Sequence, residues 1–327
     1  MFSFPVKSLE QINEQYYNNY NFTITSVSST GNPKNNTILF CKRLKEDTVK
    51  HLSALTECII LVPKRQTRLI DSLKENNFVV GTVNPRLEYA RILQYILEHT
   101  GTEDNREPVC LATSIGKNFI MGKGTIIEKN VIIGDDVHIG ENCIIKPGAI
   151  INSNVTIGNH TIIRENTVIG GYGFGFERDE QGIPIRIPHV GGVVIGNYVE
   201  IGAMTTIVAG TIEPTIIDDY TKIDDHVHIA HNCHIGKGCL ITACAEVSGS
   251  VKIGEFSWLG PNCSIINGIS IGKDCFIGIG AVVKKSVADG LVVSGDPARS
   301  LEAIKEEKDL IKQLLTAYHS GKLIVTE

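Results

Sequence analysis

What this 327-residue sequence lacks narrows the reading before any motif is found. It has no run of 18 apolar residues, and its opening stretch MFSFPVKSLEQINEQYY has no long apolar core. No membrane-spanning helix and no secretory leader are therefore expected, and the protein is expected in the cytoplasm. Positive charge is not in excess. Lys and Arg number 31 against 36 Asp and Glu, a net charge of -5, which excludes the broad cationic field that a nucleic-acid backbone requires. The nine cysteines are odd in number and show no paired spacing, so free thiols are expected rather than a disulfide framework or a zinc knuckle. With 42% hydrophobic and 20% charged residues, the chain has the composition of a well-buried globular protein.

What is present is a ruler with a six-residue step. From Ile115, steps of six land on Met121, Ile127, Ile133, Ile139, Ile145, Ile151, Ile157, Ile163 and Ile169. A second run visits Ile217, Ile223, Ile229, Ile235, Ile241, Val247, Ile253, Leu259, Ile265, Ile271, Ile277 and Val283. Neither a helical nor a simple strand period produces this; a strict hexapeptide signals a β-solenoid. Three hexapeptides complete a triangular coil, so residues 18 apart stack one strand spacing, roughly 4.8 Å, along the axis. Two positions before each aliphatic residue sits a smaller one that also points inward. Cys143, Cys233, Cys239, Cys263 and Cys275 occupy that slot, and buried Cys behaves as a small hydrophobe. The pattern resembles the left-handed parallel β-helix of the hexapeptide-repeat acyltransferases, and this resemblance implies a homotrimer with active sites between neighbouring prisms.

The ruler breaks twice. The interval from Ile169 to Ile195 is not a multiple of six and holds GGYGFGFERDEQGIPIRIPHVGG, and the shorter interval from Ile207 to Ile217, around AGTIEPT, is not one either. Loops on a rigid scaffold are where function concentrates. Three domains are expected: an α/β nucleotide-sugar-binding domain at 1–105, the β-helix at 106–290 and a helical extension at 291–327. In the first, TILFC, CIILVP and NFVVGTV read as buried strands, and NPRLEYARILQYILEH reads as a helix with Asn84 as N-cap and Pro85 at its first position. In the last, a helix from about Ser300 to His319 either caps the prism or touches a neighbouring subunit.

The stretch DDHVHIAHNCHIG carries four histidines. His228 and His234 immediately precede ruler residues and should face outward on different sides of the prism, whereas His226 and His231 fall near corners. Residue 18 on from His231 is Gly249, which places bare backbone beside an imidazole. An imidazole to take a proton and an amide to hold an oxyanion are the minimum apparatus for acyl transfer. Two other readings remain open at this stage: a trimeric zinc hydratase like the γ-type carbonic anhydrases, whose ligands come from neighbouring chains, and a non-catalytic solenoid.

IDDHVHIAHNCHIG, GGYGFGF, IPIRIPHVGGVVIGNYVEIGAMTTI and NPRLEYARILQYI resemble segments of the UDP-3-O-acylglucosamine N-acyltransferase family of lipid A synthesis. The resemblance implies that His231 is the general base, that Gly249 supplies an oxyanion-hole amide and contacts the acyl donor, and that Asp224 orients or polarises the histidine region. It further implies substrate contacts by Phe40, Tyr172, Phe174 and Phe176. SGDPARS resembles the ending of coenzyme A-dependent hexapeptide enzymes, with Pro297 and Arg299 at the acyl donor. The co-substrate implied is acyl-CoA or an acyl carrier protein, with no permanently bound cofactor and no metal expected. Three departures stand out. CKRLKED replaces the uracil clamp after Phe40, Ile269 stands where a second histidine is expected, and Val208 stands where an Asp belongs. They suggest another nucleotide-linked amino sugar, UDP- or dTDP-linked, destined for lipopolysaccharide or another surface polysaccharide.

Overall fold

The computed structural model describes residues 2–12, 16, 18–100, 114–295 and 300–320. The chain forms two compact units, Met1–Glu107 and Pro108–Glu327. In the first, four parallel strands, Ser26–Val27, Thr37–Phe40, Ile59–Pro63 and Phe78–Thr82, form one sheet. Alternate residues of the two central strands face opposite ways. Ile38, Ile59 and Leu61 pack with Ile92 and Ile96 of a helix at Pro85–His99. Leu39, Ile60 and Val62 pack with Val49 and Leu52 of a helix at Glu46–Ser53. The Asn84 cap is present: its side chain accepts from Leu87 N–H at 3.2 Å, and Pro85 is the first helical residue.

The second unit holds the prism. Three parallel sheets of nine, eight and nine strands form its faces. Ile132 pairs with Ile150, His138 with Thr156, and Ile144 with Ile162, each partner lying one coil further along the chain. The ruler residues from Ile127 onward are buried with the small residues two places before them in one continuous cluster, each large side chain contributing about 1.5–3 kcal/mol. Ile115 and Met121 depart from this expectation, being 47% and 40% exposed, because among the described residues the first coil has a neighbour on one side only. Corners require a residue with positive φ every six positions. Asn118, Asn130, Asn142, Asn154 and Asn166 supply it at φ 55–61°, and Gly124 and Gly148, at 72° and 75°, supply it without a side chain.

The small inward slot has a polar rule as well. Thr125, Thr221 and Ser257 donate their hydroxyls to the carbonyls of Gly140, Gly236 and Gly272 at 2.7, 3.0 and 2.8 Å. Cys143, Cys233 and Cys239 donate Sγ–H to Gly158, Ser248 and Gly254 at 3.0, 3.1 and 3.2 Å. Burial pushes the thiols of Cys233, Cys239 and Cys263 up to about 11, so they stay protonated and unreactive at neutral pH.

Both breaks are loops. Across the first, Thr156 pairs with Val194, where an uninterrupted coil would have offered Phe174; across the second, Val194 pairs with Ile216, where an uninterrupted coil would have offered Ile212. The first loop contains an antiparallel hairpin of Phe176–Arg178 and Pro184–Arg186. A C-terminal helix, Leu301–His319, follows the prism. Its apolar stripe of Leu310, Ile311, Leu314, Leu315 and Tyr318 is exposed, so the stripe is not buried as a cap would require. Among the described residues no helix is long and apolar enough to cross a membrane.

Candidate active site

The prism edge between the face of His228 and the face of His234 carries His231 and Gly249. A Cβ built on Gly249 would lie 2.6 Å from Cε1 and 2.7 Å from Nε2 of His231, so only glycine fits under the ring. On two other coils of this edge the amide at the same corner position is taken by a side chain of the next coil. Lys117 N–H donates to Asp135 Oδ1 at 2.7 Å and Asp135 N–H to Ser153 Oγ at 3.0 Å. The Gly249 carbonyl accepts from Gly268 N–H at 3.0 Å, but its N–H donates to no group among the described residues. It is a backbone donor left open beside an imidazole.

The tautomer of His231 follows from its neighbour. His231 Nδ1 lies 2.9 Å from Asn232 Oδ1. That oxygen also accepts from Thr211 Oγ1 at 2.7 Å, while Asn232 Nδ2 donates to Glu213 carbonyl at 3.4 Å and Asn232 N–H to Thr215 Oγ1 at 3.0 Å. With Oδ1 fixed as acceptor, Nδ1 of His231 carries the hydrogen and Nε2, beside Gly249, carries the lone pair. The shorter break in the ruler is thus what orients Asn232, and Asn232 orients the imidazole. The sequence reading missed Asn232 and Thr211; the signal was the coincidence of that break with the AHN triplet about one coil later.

The longer break contributes His189, also missed. It is 4% exposed, its ring meets that of His231 edge-to-face at 5.4 Å and 71°, and burial lowers its pKa below the ordinary imidazole value. Tyr172 lies near it, at 6.1 Å, and the two line a cavity of about 450 Å³ with Asn152, Asn154 and Val190. Phe174 and Phe176 pair with each other at 5.0 Å, and Arg186 lies 4.5 Å over Phe176; Phe174 is 88% exposed. Tyr172 therefore lies beside His189, while Phe174 and Phe176 form a cluster of their own. Val208 is buried, and its Cγ1 would meet a Cβ on Gly173 at 2.7 Å, so an apolar wall stands where a carboxylate was expected. Ile269 packs against the prism core.

Asp224 requires a correction. It sits on a different edge of the prism from His231, and its carboxylate accepts from Asp225 N–H at 2.8 Å and Ala243 N–H at 3.2 Å. Within one chain it ties corners together and does not orient His231. The other histidines are separate, as their register predicts: His228 Nδ1 is 2.6 Å from Thr206 Oγ1, His234 Nε2 is 2.8 Å from Asp218 Oδ2, and His226 occupies a corner at φ 58°. In the first unit, Phe40 packs against Tyr89 at 5.1 Å, and both line a cavity of about 490 Å³ with Arg86 and Leu93. Tyr89 and Arg86 come from the NPRLEYAR segment and were not singled out. Pro297 and Arg299 lie outside the described residues.

The model of the bacterial transferase hexapeptide family, six repeats, matches residues 136–171, 214–249 and 250–285. It stops at the longer break and resumes across His231 and Gly249. By sequence the chain is similar to UDP-3-O-acylglucosamine N-acyltransferase 2 of Rhodopseudomonas palustris (strain BisB18), 36% identical over 154 residues, 47% of this chain and 41% of that protein. It is likewise similar to the enzyme of that name from Legionella pneumophila (strain Lens), 38% identical over 154 residues, 47% of this chain and 45% of that protein. The chain thus spans less than half the length of these relatives. Among solved structures, UDP-N-acetylglucosamine acyltransferase from Campylobacter jejuni is 27% identical with a TM-score of 0.50, and UDP-N-acetylglucosamine O-acyltransferase from Moraxella catarrhalis RH4 is 25% identical with a TM-score of 0.52. Each match covers 63% of this chain and 81% of the other. The prism is therefore the left-handed parallel β-helix that the six-residue ruler led us to expect, and residues 136–171, 214–249 and 250–285 of it match the bacterial transferase hexapeptide repeat.

Proposed function

We propose that this protein is an N-acyltransferase that moves an acyl group from an acyl thioester to the amine of a UDP-linked amino sugar. The observation that carries the reading is the pairing of His231 Nε2, bearing a lone pair, with the open N–H of Gly249 on one prism edge. In the step, the amine nitrogen bonds to the thioester carbonyl carbon while His231 Nε2 takes the amine proton. The carbonyl oxygen, now anionic, is held by Gly249 N–H. Collapse breaks the C–S bond, and the imidazolium returns its proton to the departing thiolate, leaving an amide and a free thiol. The apparatus needs no metal.

The UDP group is favoured over dTDP by the names of the relatives, and Phe40, Tyr89 and Arg86 are the proposed contacts for the base and phosphates of the nucleotide. Tyr172 is the proposed contact for the sugar. The donor is acyl-CoA or an acyl carrier protein, and the working assembly is a homotrimer. The test mixes purified protein with an acyl thioester and either UDP-glucosamine or UDP-N-acetylglucosamine, following thiol release and product mass. Acylation of the first and not the second is expected, with His231→Ala reducing the rate by about 10²- to 10⁴-fold. Transfer to a hydroxyl of the second substrate would convert the reading to O-acylation, which the name of the Moraxella structure would favour. Full activity in His231→Ala would remove the base.

A further inference from the structure

We propose that His189 is a positioning residue for His231, clamping the ring of the base through an edge-to-face contact and keying the longer loop to the reaction. This rests on the reading of His231 as the base. Three sides of the His189 ring are fixed. Nδ1 lies 3.0 Å from the carbonyl of Ile187, and because a carbonyl only accepts, Nδ1 carries the hydrogen. A Cβ on Gly173 would fall 2.9 Å from Nε2, and one on Gly175 would fall 2.8 Å from Cε1, so the ring fits only because the GYGFG segment has no side chain at those two places. Beyond these, the ring meets that of Tyr172 at 6.1 Å and, closer, that of His231 at 5.4 Å.

The unused nitrogen gives the clamp its chemical sense. His189 Nε2 is buried and has no hydrogen-bond partner among the described residues, a rare arrangement that calls for an explanation. As a lone pair on a neutral ring it leaves His231 free to become an imidazolium. As a cation it would oppose that step, and burial first, then the nearby His231 and Arg186, disfavour such a charge. Arg186 donates to the Gly173 carbonyl at 3.2 Å and so holds the same loop segment from the other side. The hydrogen bond from His231 Nδ1 to Asn232 restrains one edge of the base, and the His189 ring blocks its swing from the other direction.

The experiment compares His189→Ala and His189→Phe in the full chain with two readouts. In steady-state kinetics with the amino-sugar acceptor, the Ala variant should lower kcat by about 10- to 100-fold, the scale of a misplaced catalytic group, with KM unchanged to within about two-fold. The Phe variant, which restores a flat ring, should recover most of that loss. The second readout is the rate at which diethyl pyrocarbonate modifies His231, resolved by peptide mass, which requires no turnover. The Ala variant should be modified several-fold faster than the parent and the Phe variant at nearly the parent rate. A Phe variant as poor as Ala, an unchanged modification rate in Ala, or a KM rise at constant kcat would overturn the proposal, the last because the ring would then be touching substrate. An inactive parent protein with the expected modification pattern would instead sink the acyl-transfer reading and leave the clamp standing.

Discussion

Within the prism, the uninterrupted coils and the coils flanking the two breaks use the same backbone differently. In the regular coils inward Thr, Ser and Cys donate to carbonyls of the next coil, and some corner amides, such as those of Lys117 and Glu141, are taken by side chains of the next coil. At the edge of His231 that economy stops. The Gly249 amide is left open, and residues from both breaks, Thr211 and His189, converge on the imidazole and its partner Asn232. A polar group paired from coil to coil has nothing left to offer a substrate, whereas beside His231 an unpaired amide and an imidazole stand together.

Breaking the open corner should have the largest effect. Gly249→Ala pushes a methyl to within 2.6 Å of the His231 ring, and a rate loss of about 10²-fold is expected with the thermal midpoint little changed; a fully active variant would show that the corner is not the site. Asn232→Ala removes the acceptor that sets the His231 tautomer, and about a ten-fold loss in kcat/KM is expected, smaller than the loss of the base itself. Asn232→Asp retains the acceptor and adds a negative charge beside the imidazole, so the acid limb of the pH–rate profile should move to higher pH.

The regular coils are sharpened by stability measurements. Ile241→Ala empties a buried ruler position and should cost about 2–5 kcal/mol in denaturant unfolding. Leu240→Ala, its outward-facing neighbour and 38% exposed, should cost about 0.5 kcal/mol or less in an isolated chain. A larger cost that depends on protein concentration would mark that face as a subunit contact. A mild effect is likewise expected of Cys239→Ser, because Ser257 already fills the equivalent slot one coil on and donates to Gly272. A change of about 1 kcal/mol or less should register.

The fold was legible because period and burial are the same information in a solenoid: any residue six places from Ile229 must share its depth. The site was legible only in part. His231 and Gly249 follow from counting one coil, and the structure places them in contact. Asp224 went astray because more than one hexapeptide separates it from His231, which puts it round another edge. His189 and Thr211 lie in the breaks, where no period applies, and their approach to residues 231 and 232 depends on how each loop folds back on the edge.

By itself, then, the sequence determined the prism, its register, the inward side chains and the corner that carries a histidine above a glycine, since each is a consequence of a six-residue repeat with aliphatic burial. Only the tertiary structure decided which nitrogen of His231 bears the lone pair, which amide stays open and which ring leans on the base. Those depend on single hydrogen bonds and contacts that join the two loops to the His231 edge, and their geometry is encoded by no periodicity.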